Sequence, residues 1–220
     1  ADDLDAAATG ICEGIFWNGG QNCSANSRLI VQRSVEGELL ERIAERSRDW
    51  VVGDPLVAET TMGAMIEEAH LDKVLSHIVD AHEAGSTCAV GGNRVREESG
   101  GWFVEPTVFT DVDPDSRLAR EEVFGPVLAV TAFDTPEEAI RLANDTDYGL
   151  AGTIHTTDLR TAHLAARAIR AGTVAVNCYG EGDITTPFGG FKQSGFGGRD
   201  KSIAAHEQYT ELKTIWMDLS

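Results

Sequence analysis

An α/β fold, a mostly parallel sheet flanked by helices, is what this sequence predicts, and three observations carry the prediction. Short apolar runs rich in β-branched residues, such as Val127-Leu128-Ala129-Val130 and Thr173-Val174-Ala175-Val176, recur along the chain with the length of buried strands. Between them lie segments with apolar residues at helical spacing, bounded by start and stop signals such as Thr135-Pro136-Glu137-Glu138 and Gly172. Strands that alternate with helices pair in parallel through right-handed crossovers. Finally, 220 residues that are 42% hydrophobic suffice for a sizeable core within one domain.

The first element is a helix over residues 2 to about 17, with acidic residues in its first turn to suit the positive end of the helix dipole. It leads toward Cys23, after which Leu29-Ile30-Val31-Gln32 forms a short strand. Apolar positions at Leu39, Leu40, Ile43, Ala44 and Trp50 give residues 36–50 the spacing of an amphipathic helix, which Gly53-Asp54-Pro55 ends. A second long helical pattern covers residues 66–83 and closes at Gly85, before a strand at 87–90 and a polar, hairpin-like region at 91–101. Strand 107–110, an exposed Asp-rich turn at 111–115 and strand 127–132 come next. Thr135 then caps a helix that has proline in its first turn and glutamates to complement the dipole. The scheme repeats as strand 152–155, helix 158–171 and strand 174–177. A short helix at 202–209 leads into a terminal strand, Leu212-Lys213-Thr214-Ile215-Trp216-Met217, which reads from its residues as an edge of the same sheet.

The charge balance excludes some functions. Lys and Arg number 18 against 36 Asp and Glu, and a net charge of -18 opposes nonspecific binding to nucleic acid or an anionic membrane. No apolar run approaches a membrane span and the N-terminus is acidic, so the expected compartment is the cytoplasm. Cys12, Cys23, Cys88 and Cys178 form no C-x-x-C pair and have no histidine at zinc-ligand spacing, which makes reduced thiols the simplest reading and predicts no metal site. His70, His77 and His82 read as a solvated helix face. The glycines of residues 189–198 satisfy neither phosphate-binding pattern, G-x-x-x-x-G-K-[ST] or G-x-G-x-x-G.

Chemistry concentrates at Phe16-Trp17-Asn18-Gly19-Gly20-Gln21-Asn22-Cys23, a cysteine at the end of a Gly-rich turn. The glycines allow a tight turn and close backbone approach, and Arg28 is the nearby cation that could favour a thiolate. On these residues alone two readings stay open: a nucleophile's seat, and the small buried hydrophobe that most free cysteines are.

Gly20-Gln21-Asn22-Cys23 with its upstream aromatic pair resembles the active-site segment of the NAD(P)-dependent aldehyde dehydrogenases. Arg120-Glu121-Glu122-Val123-Phe124-Gly125-Pro126-Val127, Asn144-Asp145-Thr146-Asp147-Tyr148-Gly149-Leu150 and Pro187-Phe188-Gly189-Gly190-Phe191-Lys192-Gln193-Ser194-Gly195 fit the same family in the same order. Within the family the likeness is to enzymes acting on ω-aminoaldehydes from polyamine breakdown, γ-glutamyl-γ-aminobutyraldehyde dehydrogenase among them; Gly198-Arg199-Asp200-Lys201-Ser202 and Glu211-Leu212-Lys213-Thr214-Ile215-Trp216 add to it. The resemblance implies that Cys23 adds to an aldehyde carbonyl, that the resulting hemithioacetal gives a hydride to NAD or NADP, with NAD favoured, and that water hydrolyses the thioester. A cysteine suits the first step because it is partly ionised near neutral pH, and its backbone N–H can serve as one oxyanion donor. Glu122 matches the glutamate that accepts hydrogen bonds from the nicotinamide ribose, and Phe124 packs near the same ribose. Trp17 matches an aromatic of the aldehyde tunnel and Phe188 lies on the loop that closes it.

The likeness covers essentially the whole chain, yet only the C-terminal portion of a family member. It implies a catalytic domain over residues 1–201 and a C-terminal helix and oligomerisation strand over 202–220, without the cofactor domain or the segment carrying the general base. Such a fragment is expected to be inactive alone, and the complete enzyme to be a homodimer or homotetramer. In the loop Tyr179-Gly180-Glu181-Gly182-Asp183-Ile184-Thr185-Thr186-Pro187-Phe188, Glu181 and Asp183 place two carboxylates at the implied tunnel mouth, which favours a cationic or amide-bearing aminoaldehyde over succinate semialdehyde or a neutral aliphatic aldehyde. A solvated acidic loop is the plainer alternative. Two further readings remain: a cysteine hydrolase, which would need a histidine such as His155, His163 or His206 beside Cys23, and a non-catalytic interaction fragment.

Overall fold

A computed structural model describes residues 3–180 and 182–220. The Asp3 carboxylate accepts the Ala6 N–H at 2.9 Å and starts α1 (Leu4–Phe16), satisfying one of the free donors of the first turn. Strand β1 (Arg28–Gln32) follows, then α2 (Glu36–Arg46), which gives way to a short 3-10 turn before Trp50. After an irregular stretch come α3 (Glu68–Glu83), β2 (Thr87–Val90), the hairpin strands β3 (Arg94–Val95) and β4 (Phe103–Val104), and β5 (Thr107–Thr110). The short α4 (Arg117–Arg120) precedes β6 (Val127–Phe133), and α5 (Pro136–Asn144) begins at Thr135, whose hydroxyl accepts the Glu138 N–H. Next are β7 (Tyr148–Gly149), β8 (Ala151–Ile154), α6 (Leu159–Ala168) with Asp158 as its cap, β9 (Thr173–Val176), β10 (Phe191–Lys192) and α7 (Ala204–Glu207).

The main sheet has the order β1-β6-β5-β2. Both β1 and β5 run parallel to β6, while β2 closes the edge antiparallel to β5 through a bulge between Cys88 and Val90, so the sheet is mixed. Successive side chains of a strand point to opposite faces, and β6 divides accordingly. Leu128 and Val130 join the core under α1 and α2 with Ala8, Ile15, Phe16 and Ile43, whereas Val127 and Ala129 join the core under α3 with Leu71, Val74, Ile78 and Phe109. A strand covered on both faces needs apolar residues at every position, which is why 127–130 reads as an unbroken run. Beside this sheet, β8 pairs in parallel with β9, and β7 with β10 antiparallel.

Two expectations are corrected. The α3 histidines do not form a solvated face: His77 is 0% exposed and shares the buried stripe of Val74, Ile78 and Ala81, while His82 stays exposed. Residues 210–220 hold no strand. A strand exists only by pairing, and among the described residues nothing pairs with Leu212-Lys213-Thr214-Ile215-Trp216-Met217, which leaves Trp216 91% exposed. Among the described residues no helix is long and apolar enough to cross a membrane.

Candidate active site

Past Phe16 the chain leaves α1 through a short turn in which Asn18, Gly19 and Gly20 all take left-handed backbone, with φ of 53°, 62° and 70°. Asparagine tolerates that region and glycine adopts it without steric penalty. The turn is left-handed where it meets a second segment: a Cβ on Gly20 would lie 2.2 Å from the Gly125 carbonyl oxygen. Backbone touches backbone there, and no other residue type fits.

Cys23 follows this turn and is exposed. Its thiol lies 4.0 Å from Asn22 Oδ1, and among the described residues no acceptor takes the Cys23 backbone N–H and no histidine is hydrogen-bonded to its sulfur. The turn is tied to the neighbouring strands. Asn22 Nδ2 donates to the Tyr179 hydroxyl at 2.5 Å just beyond β9, and Asn26 Nδ2 donates to Thr153 Oγ1 of β8 at 3.2 Å. Tyr179, read from the sequence only as the start of a loop, is therefore a direct neighbour of the cysteine turn.

Arg28 does not serve the thiol. It donates to the Leu142 carbonyl at 2.8 Å, and burial, with Arg120 nearby, lowers its pKa. The other cysteines are differently placed. Cys12 is buried under α2, and burial, followed by the field of Asp49, pushes its pKa up to about 12, which leaves it an unreactive thiol. Burial also raises the Cys88 thiol, which donates toward the Val90 carbonyl at 3.3 Å. Cys178 is exposed beside Tyr179.

The segment carrying Glu122 and Phe124 is gripped by α3. Lys73 Nζ donates to the Glu122 carbonyl at 2.9 Å, and His70 Nε2 bonds the Phe124 carbonyl at 2.7 Å, which requires the proton on that nitrogen. Phe124 itself sits at φ 61°, and a Cβ on Gly125 would reach within 2.6 Å of Val74. With its backbone held, the Glu122 side chain stands in solvent while Phe124 is half-buried. Upstream, Arg117 bridges Asp80 and Glu121, and Arg120 pairs with Asp145 and Asp115. His77 lies 3.9 Å from the Glu121 carboxylate; burial, reinforced by Arg117, holds its pKa below the ordinary value. Sequence reasoning missed His70 and Lys73. Their spacing of three within one helix, ahead of a Phe-Gly-Pro segment, is visible in the chain, but what they grip comes from tertiary folding.

The remaining expected residues spread outward. Trp17 is 54% exposed on the cysteine turn. Phe188 is half-buried, bridges Asp200 through two backbone hydrogen bonds of 2.8 and 2.7 Å, and has the Lys201 ammonium 5.2 Å above its ring. Asp183 is exposed and turned inward on its own loop, accepting from Thr185 N at 2.7 Å and Thr185 Oγ1 at 2.5 Å, bonds that hold its carboxyl below the usual range. Glu181 lies outside the described residues. Among the described residues no three His, Cys, Asp or Glu side chains gather as a metal site.

The site thus sets an exposed thiol on a glycine turn whose backbone touches the anchored Glu-x-Phe-Gly segment just ahead of β6. Residues 1–215 match the model of the aldehyde dehydrogenase family, and the chain belongs to that family. It is 54% identical over 219 residues to the aminoacetaldehyde dehydrogenase of Pseudomonas aeruginosa, covering 100% of this chain and 43% of that enzyme. The solved indole-3-acetaldehyde dehydrogenase AldA of P. syringae, in complex with NAD+ and IAA, superposes with a TM-score of 0.95 at 49% identity, over 99% of this chain and 44% of that one. The γ-glutamyl-γ-aminobutyraldehyde dehydrogenase of Burkholderia cenocepacia gives 0.92 at 50% identity, over 96% and 42%. This chain thus spans less than half the length of the relatives it matches.

Proposed function

We propose that this chain is the thiol-bearing catalytic portion, residues 1–201 with a C-terminal appendage at 202–220, of a longer cytoplasmic enzyme that oxidises an ω-aminoaldehyde to its acid. The observation that supports this most is the contact of Gly20 with Gly125, which sets the cysteine turn against the Glu122 and Phe124 segment. Cys23 is the nucleophile. Its sulfur forms a bond to the carbonyl carbon while the π electrons move to oxygen, and the Cys23 backbone N–H stands ready for that oxyanion. The oxyanion electrons then re-form the carbonyl as the aldehyde hydrogen leaves with its bonding pair, as hydride, and attack by water on the thioester carbon releases the carboxylic acid and returns the thiol.

The residues fit a nicotinamide dinucleotide. Glu122 offers an exposed carboxylate, an acceptor for ribose hydroxyls, on a backbone fixed by Lys73, and Phe124 is held at its carbonyl by His70, whose ring meets the phenyl edge-on at 6.1 Å. When bound, the cofactor supplies the acceptor for the aldehyde hydrogen. NAD is the favoured form, in keeping with the NAD+ complex of the P. syringae relative.

Two relatives named for aminoaldehydes support that substrate class. On the chain itself, Trp17 offers an exposed aromatic face to an ammonium or methylene chain, worth roughly 0.5–2 kcal/mol. Asp183 and Phe188 belong to the same proposed substrate site, with Glu181 assigned to it from the sequence alone. Succinate semialdehyde and neutral aliphatic aldehydes are the alternative substrates. The exposed apolar side chains Leu212, Ile215 and Trp216 are covered in the complete enzyme, a homodimer or homotetramer, where 212–217 pairs as a strand with an oligomerisation hairpin. The deciding experiment compares kcat/KM in the full-length enzyme carrying this chain, for an aminoaldehyde, a neutral aldehyde of equal length and succinate semialdehyde. The aminoaldehyde should lead by about tenfold, the equivalent of roughly 1.4 kcal/mol, and a preference for the semialdehyde overturns the substrate reading.

A further inference from the structure

Three segments meet around Gly20, and their contacts close a ring. The Gln21 side chain, two residues before the thiol, accepts the Ile66 N–H at 2.9 Å through Oε1. Ile66 stands just ahead of α3, whose His70 bonds the Phe124 carbonyl at 2.7 Å. Phe124 leads into Gly125, and Gly125 returns to the turn by its backbone contact with Gly20. Within the turn, Gln21 Nε2 donates to the Asn18 carbonyl at 3.3 Å and Asn18 Nδ2 donates back to the Gln21 carbonyl at 2.9 Å, across a residue at φ 53°. A left-handed non-glycine backbone persists only where the surroundings over-determine it.

We propose that Gln21 is a positioning residue: by linking the cysteine turn to the entrance of α3, it fixes the distance between the Cys23 sulfur and the segment of Glu122 and Phe124. The inference rests on the reading of Cys23 as nucleophile. The ring supplies its logic. His70 fixes one side of the gap to α3 and Gln21 fixes the other, so losing Gln21 lets the thiol shift while the turn stays covalently in place.

Gln21→Met keeps length and volume but loses both hydrogen bonds; Gln21→Glu keeps an oxygen to accept the Ile66 N–H. In the full-length enzyme, single-turnover NADH formation should slow by about ten- to a hundredfold in Gln21→Met, the scale of a displacement near 1 Å. The aldehyde KM and the melting midpoint should hold, and Gln21→Glu should recover most of the rate. Loss of stability in step with rate, or equal loss in Gln21→Met and Gln21→Glu, overturns the positioning role. Cys23→Ser in the same enzyme separates the two claims: full turnover there defeats the nucleophile reading, whereas an inactive Cys23→Ser beside a Gln21→Met of normal rate defeats only the positioning role.

Discussion

Replacing Gly20 by alanine strikes the contact on which the site is built. A Cβ there would lie 2.2 Å from the Gly125 oxygen, 2.3 Å from its carbon and 2.8 Å from the Pro126 nitrogen. All three are backbone atoms, so no side chain can rotate away, and the segments must part by about 1 Å to regain van der Waals separation. The backbone adds its own penalty: at φ +70 an alanine pays about 1–2 kcal/mol. Forced expansion of a packed region costs about 1–3 kcal/mol more, for about 2–5 kcal/mol in total. With a sensitivity of about 2–4 °C per kcal/mol in a chain of this size, the melting midpoint should fall by roughly 5–20 °C. Circular dichroism on the purified chain measures it, with Gly37→Ala as a control. Gly37 is helical in α2 with nothing within 4 Å of an added Cβ, and alanine there should gain up to about 1 kcal/mol. A Gly20→Ala chain that melts with wild type would refute the backbone contact and with it the lock between the cysteine turn and the 122–125 segment.

Glu122→Gln, which keeps the shape and loses the anionic acceptor, should slow hydride transfer in single-turnover kinetics of the full-length enzyme by about tenfold; an unchanged rate removes Glu122 from the site. His77 has a folded pKa below its ordinary 6.5, so between those values the unfolded chain binds a proton that the folded chain refuses. Its contribution to stability is therefore present above pH 6.5 and lost as pH falls below it, and urea titrations from pH 7 to about 5 should lose less stability in His77→Gln than in wild type. Equal slopes would mean that His77 titrates freely. Joint replacement Glu181→Gln with Asp183→Asn should lower the preference for aminoaldehydes over neutral aldehydes of equal length. Because Asp183 is already engaged by Thr185, most of any change should follow Glu181 when the two are replaced singly, and an unaltered preference would show that the loop does not select charge.

Much of the fold was legible because its signals are local. Asp3, Thr135 and Asp158 cap helices by bonding their own first turns, and β6 shows its double burial in four consecutive apolar residues. The cysteine turn was legible for the same reason, since three left-handed residues in a row demand asparagine and glycine. What stayed hidden depends on partners far along the chain. His77 looked solvated because histidine is polar, although its offset of three from Val74 and four from Ala81 places it on the buried stripe. Arg28 sits near Cys23 in sequence, but β1 carries its guanidinium to the Leu142 carbonyl. The grip of His70 and Lys73 on 122–124 spans about fifty residues, and 212–217 finds no strand to pair with among the described residues.

Whether Cys23 forms the covalent bond to substrate is read from acid-quenched turnover followed by peptide mass mapping. With an aminoaldehyde and NAD supplied to the full-length enzyme, the substrate's acyl mass should appear on the peptide holding Cys23, and Cys23→Ala should show neither adduct nor turnover. An acyl adduct on Cys178, or turnover preserved in Cys23→Ala, would mean that Cys23 is not the nucleophile.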